Sequence, residues 1–493
     1  MPARSPEPSA REFRRELGLT ASTMLVIGSM VGSGIFIVSA DIARTVGSPG
    51  LLLLVWIITG VVTLIAALSY GELAGMMPRA GGQYVYLREA YNPFVGFLYG
   101  WTLFMVIQSG TIAAVAVAFA KFTAVFFPGL GEKVVVLTLW GRGITAAQLV
   151  AVASVLVLTW INMRGVHEGK LVQVVFTVAK VAALFVLIVL GLTVAVNADA
   201  LASNLSGFWD GVQVTVGADG LTHVPLSGAA VIAAMGVAMV GSLFSSDAWN
   251  NITFTAGEVI NPKRTIPQSL AMGTAVVTLL YLLANVAYLA LLPLAGSPDA
   301  ADAAGRGIQF ALSDRVGTAA ASIIFGAPAE YLMAALIMVS TFGCNNGLIL
   351  AGARVSYAMA RDGLFFRGAS RLNDRGVPSS ALLVQAVWTS LLCLSGSYGE
   401  LLDYVVFAVL LFYMLTIGGI FILRRTRPDA ERPYRAFGYP VLPILYIVIA
   451  GAISIDLLVY KPDYTWPGLL IVLLGVPVYF LWTRFNRPAP ENH

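Results

Sequence analysis

The sequence predicts an all-α polytopic membrane protein with twelve transmembrane helices, of which the first and sixth are discontinuous. Three observations carry this. Of 493 residues, 58% are hydrophobic and only 11% charged, with a mean hydropathy of +0.82, whereas soluble domains carry about 25% charged residues. Apolar stretches long enough to cross a hydrocarbon core of roughly 30 Å recur along the whole chain. Two of those stretches are broken by clusters of Gly, Ser, Asp and Asn, at corresponding places in two five-span halves of opposite orientation. That pairing is the sequence signature of an inverted-repeat transporter with its site between the breaks.

In chain order, residues 1–18 form a polar tail with Arg4, Arg11, Arg14 and Arg15. The tail lacks the short apolar core and cleavage site of a signal peptide, so it is expected in the cytoplasm. The first half, 19–197, holds spans at about 19–44, 50–77, 93–127, 145–163 and 170–196. An outer loop, 198–226, leads to the second half, 227–424. Its spans lie at about 227–258, 267–293, 328–359, 379–396 and 400–423. Two further spans, near 440–460 and 466–484, fill 425–486, and 487–493 form a second tail.

Alternate loops are basic: Arg79 and Arg88, Arg164 and Lys170, Lys263 and Arg264, Arg361 to Arg375, and Arg424 to Arg435. The intervening loops hold Asp199, Asp210, Asp219, Asp299, Asp302, Asp314, Glu400 and Asp403. This positive-inside bias places both termini in the cytoplasm and accounts for the net charge of +4 without nucleic acid.

The first break is GSMVGSGIF, Gly28–Phe36. Weak helix formers at mid-span let the helix open. The freed amides near Gly32 to Ile35 would attract an anion, and the carbonyls near Ser29 and Met30 a cation. An amino acid, with its carboxylate and ammonium a few Å apart, fits that pair; close helix packing through small residues is the competing reading. The second break is GSLFSSDAWNNITF, Gly241–Phe254. An Asp facing lipid at this depth costs about 2.5–3.5 kcal/mol, so the run lines a cavity or faces protein.

These stretches carry a family resemblance. The first break, the loop Ser69–Trp101, and AGEVINPKRTIP (Ala256–Pro267) resemble amino acid permeases of the amino acid-polyamine-organocation superfamily. The segments Asn162–Val181, Leu243–Phe254, Ala353–Phe366 and ERPYRAFGYPVLP resemble its L-type branch. The resemblance implies a leucine-transporter-type fold, a five-plus-five inverted repeat with two extra helices. It places the substrate carboxylate on the amides of Gly32, Ser33 and Gly34, with the Ser33 hydroxyl nearby, and the ammonium against carbonyls of Met30, Phe244 and Asp247. The Phe244 ring matches an outer aromatic gate; Ser29, Ser245 and Asn250 complete the substrate-binding set.

Lys180 stands alone deep in the fifth span, and an intramembrane cation is functional by default. By resemblance it faces the first helix where sodium-coupled relatives of the fold hold sodium. Two readings stay open: a coupling residue in the transport cycle, or a fixed cation on first-helix carbonyls. Asp247 also has two readings, as the N-cap of the second half of helix six or as a pocket carboxylate that admits cationic substrates. Trp249 is a packing residue or a pocket residue. Glu72, Arg79, Glu258, Lys263, Arg264, Arg354, Arg361 and Asp362 are expected at inner helix ends as salt links or an inner gate, and Glu330 at an outer end.

Cys344 and Cys393 lie within apolar stretches and the three histidines form no HExxH, so no metal is expected. No GxxxxGK[ST] occurs, so transport must be secondary, without a cofactor. Animal L-type transporters join a glycoprotein heavy chain through a cysteine in the loop after span three. Here that loop, about 128–145, has none. The expectation is therefore a bacterial inner-membrane protein without a disulfide-linked heavy chain, not an enzyme, partnered by the bilayer, an L-amino acid and, in one reading, protons. It transports neutral amino acids by sodium-independent exchange or proton-coupled uptake. Cationic amino acids or polyamines are the alternative substrates, and a non-transporting amino acid receptor the alternative class.

Overall fold

The computed structural model describes residues 13–139, 142–217, 220–395 and 398–485. Most of the expected N-terminal tail, and the C-terminal tail 487–493, lie outside the described residues. The first span is split into α1 (Leu19–Met30), α2 (Gly34–Ile37) and α3 (Ser39–Val46). The backbone leaves the helix at Val31, whose ψ is 92°. It re-enters before Gly34, and helical dihedrals at Val38 run α2 into α3.

Local chemistry sets the next starts. Ser48 accepts from Leu51 N–H at 3.2 Å and Pro49 occupies the first turn of α4 (Pro49–Met76), as N-terminal Pro favours. A short α5 (Gln83–Ala90) precedes α6 (Pro93–Thr102), capped by Asn92. A π-helical turn, Leu103–Ile107, joins α6 to α7 (Gln108–Phe126). Thr145 and Gln148 form a capping box for α8 (Ala146–Arg164), satisfying two terminal donors reciprocally. Then come α9 (Val166–Thr193) and the outer helix α10 (Ala198–Leu205).

The second half opens with α11 (Ala229–Ser245) and, after a gap, α12 (Asn251–Phe254). There follow α13 (Pro262–Leu291), the small helices α14 (Ala303–Arg306) and α15 (Val316–Phe325), and α16 (Ala329–Arg361). The chain closes with α17 (Ser379–Ser395), α18 (Tyr398–Thr426), α19 (Val441–Tyr460) and α20 (Pro462–Phe485). Ten of the described helical segments are long and apolar enough to cross a membrane. The two remaining expected spans are α11 and α17, apolar but only 17 residues each.

The long helices pack in pairs, α4 along α13 and α7 along α16. Small residues permit the approach: a Cβ at Gly60 would collide with Thr278, and one at Gly352 with Gln108. Two hairpins that sequence left as loop project from the connections, β1 (Val135–Leu139) with β2 (Arg142–Thr145), and β3 (Val212–Gly217) with β4 (Gly220–Pro225). The tail is not free up to residue 18. Leu17 is buried and its carbonyl accepts from Ile260 N–H at 2.9 Å, while Phe13 sits edge-on to Tyr357.

Candidate functional site

Opening a buried helix leaves polar backbone groups that must find partners, and at the first interruption α9, α13 and α16 supply them. Lys180 Nζ, 1% exposed, donates to Gly28 O at 2.6 Å, to Val31 O, and to Ser340 O at 3.3 Å. Ser340 Oγ reaches Val31 O and Gly32 O at 3.2 and 3.1 Å. Cys344 Sγ lies 3.0 Å from Ser29 O, and the Tyr281 hydroxyl 3.0 Å from Met30 O. The carbonyls of Ser29 and Met30 therefore already accept one donor each, and any further cation would use their second lone pairs. The N–H groups of Gly32 and Gly34 have no acceptor among the described residues. The break is thus satisfied on its carbonyl side and open on its amide side, an arrangement suited to an anion.

At the second interruption Asp247 N–H donates to Phe244 O at 3.1 Å, and Ala248 turns the chain with a positive φ of 65°. Asp247 does not cap α12, whose N-cap position is Asn250, three residues later. Its carboxylate instead accepts from the Tyr413 hydroxyl of α18 at 2.6 Å. Asn250 donates to Gln83 at 2.9 Å, and Gln83 donates on to Thr416 at 3.0 Å. Trp249 is buried against Tyr70 and Tyr413, with ring centroids 4.8 and 5.1 Å away, a packed position at the floor of the break.

The two interruptions meet. A Cβ placed on Gly34 would fall 2.8 Å from Ser245 Cβ and closer still to its hydroxyl. The Tyr281 hydroxyl lies 3.0 Å from Met30 O and 3.1 Å from Ser245 O, so one phenol spans both breaks.

Two narrow cavities flank Asp247. One, with about 10 Å³ of free space, is walled by Tyr99, Gln108, Asp247, Asn250, Leu348 and Phe412 among others. The other, with about 20 Å³ of free space, lies against Phe244, Asp247, Trp249, Tyr413 and Tyr446. Tyr99 Oη and Asn251 Nδ2, both on the first cavity, are buried without a protein partner. Ser29, Met30, Gly32, Ser33, Gly34 and Ser245 border neither cavity; Gly34 and Ser245 make the contact between the breaks, and Ser29 and Gly32 lie against α16 at Cys344. Tyr281, Ser340, Tyr413, Tyr99 and Gln83 were not singled out from sequence. Only the π-helical turn beside Tyr99 marks its segment, since such turns gather at functional sites, and sequence does not reveal the turn.

The end of the bundle that carries the N-terminal segment is held by ion pairs. Glu258 and Arg354 pair at 2.9 Å with exposures of 0% and 1%. Arg424 grips both oxygens of Glu72 at 2.9 and 2.7 Å, and Asp362 takes Tyr84 at 2.7 Å and Arg88. Lys263 pairs with Glu431. Glu330 pairs with Arg315 at 3.3 Å near the other end.

Residues 17–480 match the family described as amino acid permease. The chain is 27% identical to human b(0,+)-type amino acid transporter 1 over 98% of its length and 91% of that protein. It is 28% identical to large neutral amino acids transporter small subunit 2 of Mus musculus, covering 95% of the chain and 81% of that protein. The human form of the latter is also 28% identical, over 95% and 80%.

Proposed function

The chain belongs to the amino acid permease family, and we propose that it moves L-amino acids across the membrane by sodium-independent secondary transport, as a neutral exchanger or with protons. The family's proteins are transporters and not enzymes. The observation that carries the finer reading is the contact of the two helix interruptions at Gly34 and Ser245, beside amides of Gly32 and Gly34 that find no acceptor among the described residues. On this reading the helices form twelve spans in a leucine-transporter-type five-plus-five repeat with two extra helices, both termini inside a bacterial membrane. The substrate carboxylate sits on the amides of Gly32, Ser33 and Gly34, and the ammonium near the carbonyls of Met30, Phe244 and Asp247. Ser29, Ser245 and Asn250 complete the proposed substrate-binding set, Asn250 from the wall of the first cavity.

Lys180 holds the place of a sodium ion by joining α1 to α9 and α16 through three carbonyls. Both cysteines are buried in helices, which favours a chain without a disulfide-linked heavy chain; the words "small subunit" describe the relative.

One observation favours a second substrate reading: Asp247 borders both cavities, which would suit a cationic side chain. Asp247→Asn then abolishes uptake of arginine and lysine and leaves uptake of leucine and alanine. Were Asp247→Asn to leave arginine uptake intact, this second reading would fail.

Uptake of a labelled amino acid panel into proteoliposomes, with and without internal amino acid and with an imposed pH gradient, tests the function. A requirement for internal substrate identifies an exchanger, and uptake into empty vesicles driven by inward protons identifies a symporter. Binding without flux in any condition would make the protein a receptor and end the transport reading.

A further inference from the structure

Away from the interruptions, a cleft with about 290 Å³ of free space opens between α14, α15 and the start of α16, at the lower end of the size range of small-molecule sites. Asp302, Arg306, Arg315 and Glu330 border it. Arg306 Nε is committed to Ala300 O at 2.7 Å, and one oxygen of Asp302 to Gly305 N–H at 2.7 Å. Arg315 differs. Its guanidinium lies 5.4 Å from the Phe122 ring centroid, its Nη1 makes only a long 3.3 Å contact to Glu330, and its Nε–H is buried without a partner. One turn along α15, the hydroxyl of Thr318 is also buried without a partner.

A buried donor left unpaired is costly, and two such groups border one cleft. The Nε–Nη edge of a guanidinium matches a carboxylate in a two-bond fork. The carboxylates of Asp302 and Glu330 at the same cleft offer acceptors to an ammonium, and Ala303, Leu312, Ala319 and Ala327 supply apolar wall.

We propose that this cleft is a second amino acid site, separate from the interruptions, in which Arg315 and Thr318 hold the carboxylate and Asp302 and Glu330 the ammonium. None of its residues borders the two cavities beside Asp247. It is mechanically joined to the first span, because Asp314 pairs with Arg44 of α3 at 2.7 Å and Gly317 packs directly on Phe36 of α2. An amino acid bound here braces α15 against α2 and α3, coupling occupancy of the cleft to the outer half of the broken helix. The ligand class rests on the amino acid reading of the protein given above.

The test is equilibrium binding of tritiated L-alanine, L-leucine and L-arginine to the purified full-length chain, with uptake by the same preparation in proteoliposomes. For whichever of these is carried, two molecules bind per chain. Arg315→Ala and Thr318→Val each halve the bound label while uptake at saturating substrate persists. Unlabelled methyl ester of the same amino acid, lacking the carboxylate, does not displace the second molecule. A single bound molecule per wild-type chain with normal uptake, or two molecules retained in Thr318→Val, overturns the second site alone. Neither binding nor uptake of any of these, or of the wider panel above, overturns the amino acid reading and the second site with it.

Discussion

At the residue scale Lys180 decides most, because its ammonium replaces the intrahelical partners that the first interruption removes. Lys180→Met keeps the apolar stem and deletes the donor, so Gly28 O loses its side-chain partner and Val31 O keeps only Ser340. A lost buried partner costs about 1–3 kcal/mol and each 1.36 kcal/mol is tenfold in rate. Uptake by the variant is therefore expected to fall roughly five- to 150-fold, with the chain still monodisperse; unchanged uptake would reduce Lys180 to packing. The lysine was legible in sequence because a lone charge in an apolar run has few benign explanations. Its helpers were not. Ser340, Cys344 and Tyr281 are ordinary residues in apolar helices, and only the fold brings them to a break some 250 to 310 positions earlier in the chain. Asp247 shows the opposite failure. The chemistry of Asp suits an N-cap, yet a tertiary partner, the Tyr413 hydroxyl, takes the carboxylate and the cap position falls to Asn250.

Elements matter here through their interruptions, and the tightest contact between the two is Gly34 on Ser245. Gly34→Ala puts a Cβ where the Ser245 side chain lies, so α2 and α11 must separate and uptake is expected to be lost. Adding Ser245→Gly removes the obstructing side chain, and recovery of uptake in the double variant over Gly34→Ala is the expected result. Equal loss in both would mean that the contact is not what limits transport. The short helix α5 makes a pH prediction. Burial works against charge on Glu89, but hydrogen bonds from Arg427 and Arg88 outweigh it and hold its carboxyl below the usual range. A lowered folded value means that this stabilisation is present above the unfolded carboxyl range and lost as pH falls through the folded value. Glu89→Gln should therefore lower the melting temperature at neutral pH and converge with wild type in acid. Both interruptions were readable because Gly, Ser and Asn clusters are conspicuous against apolar runs. The hairpins β1–β2 and β3–β4 and the turn Leu103–Ile107 were not, since strand pairing in a loop and an i→i+5 turn leave no such compositional mark.

For the whole molecule, the transport proposed above requires that each end open while the other holds, and the two ends are held by different chemistry. The end carrying α2 and α3 is closed by apolar packing of Phe36 on Gly317 and by the Arg44–Asp314 pair at 2.7 Å. The opposite end contains a vestibule with about 500 Å³ of free space beside Phe13, Arg79 and Arg361. It depends on ion pairs, with Glu258–Arg354 fully buried. The N-terminal segment is tied into the same place, because the N–H groups of Glu16 and Leu17 both donate to Glu258 O at 2.9 Å. Breaking a buried pair on one side leaves an uncompensated charge and costs about 3–5 kcal/mol, whereas replacing both partners by apolar residues is often neutral. Glu258→Gln is therefore expected to lower the melting temperature, and Glu258→Leu with Arg354→Met to restore it. If the pair is a latch that must form and break during the cycle, the restored double variant still transports poorly, because an apolar pair has no charge to rehydrate when the end opens. Full uptake in the stable double variant would instead make the pair purely structural and move the latch to the more exposed links Lys263–Glu431 and Arg88–Asp362.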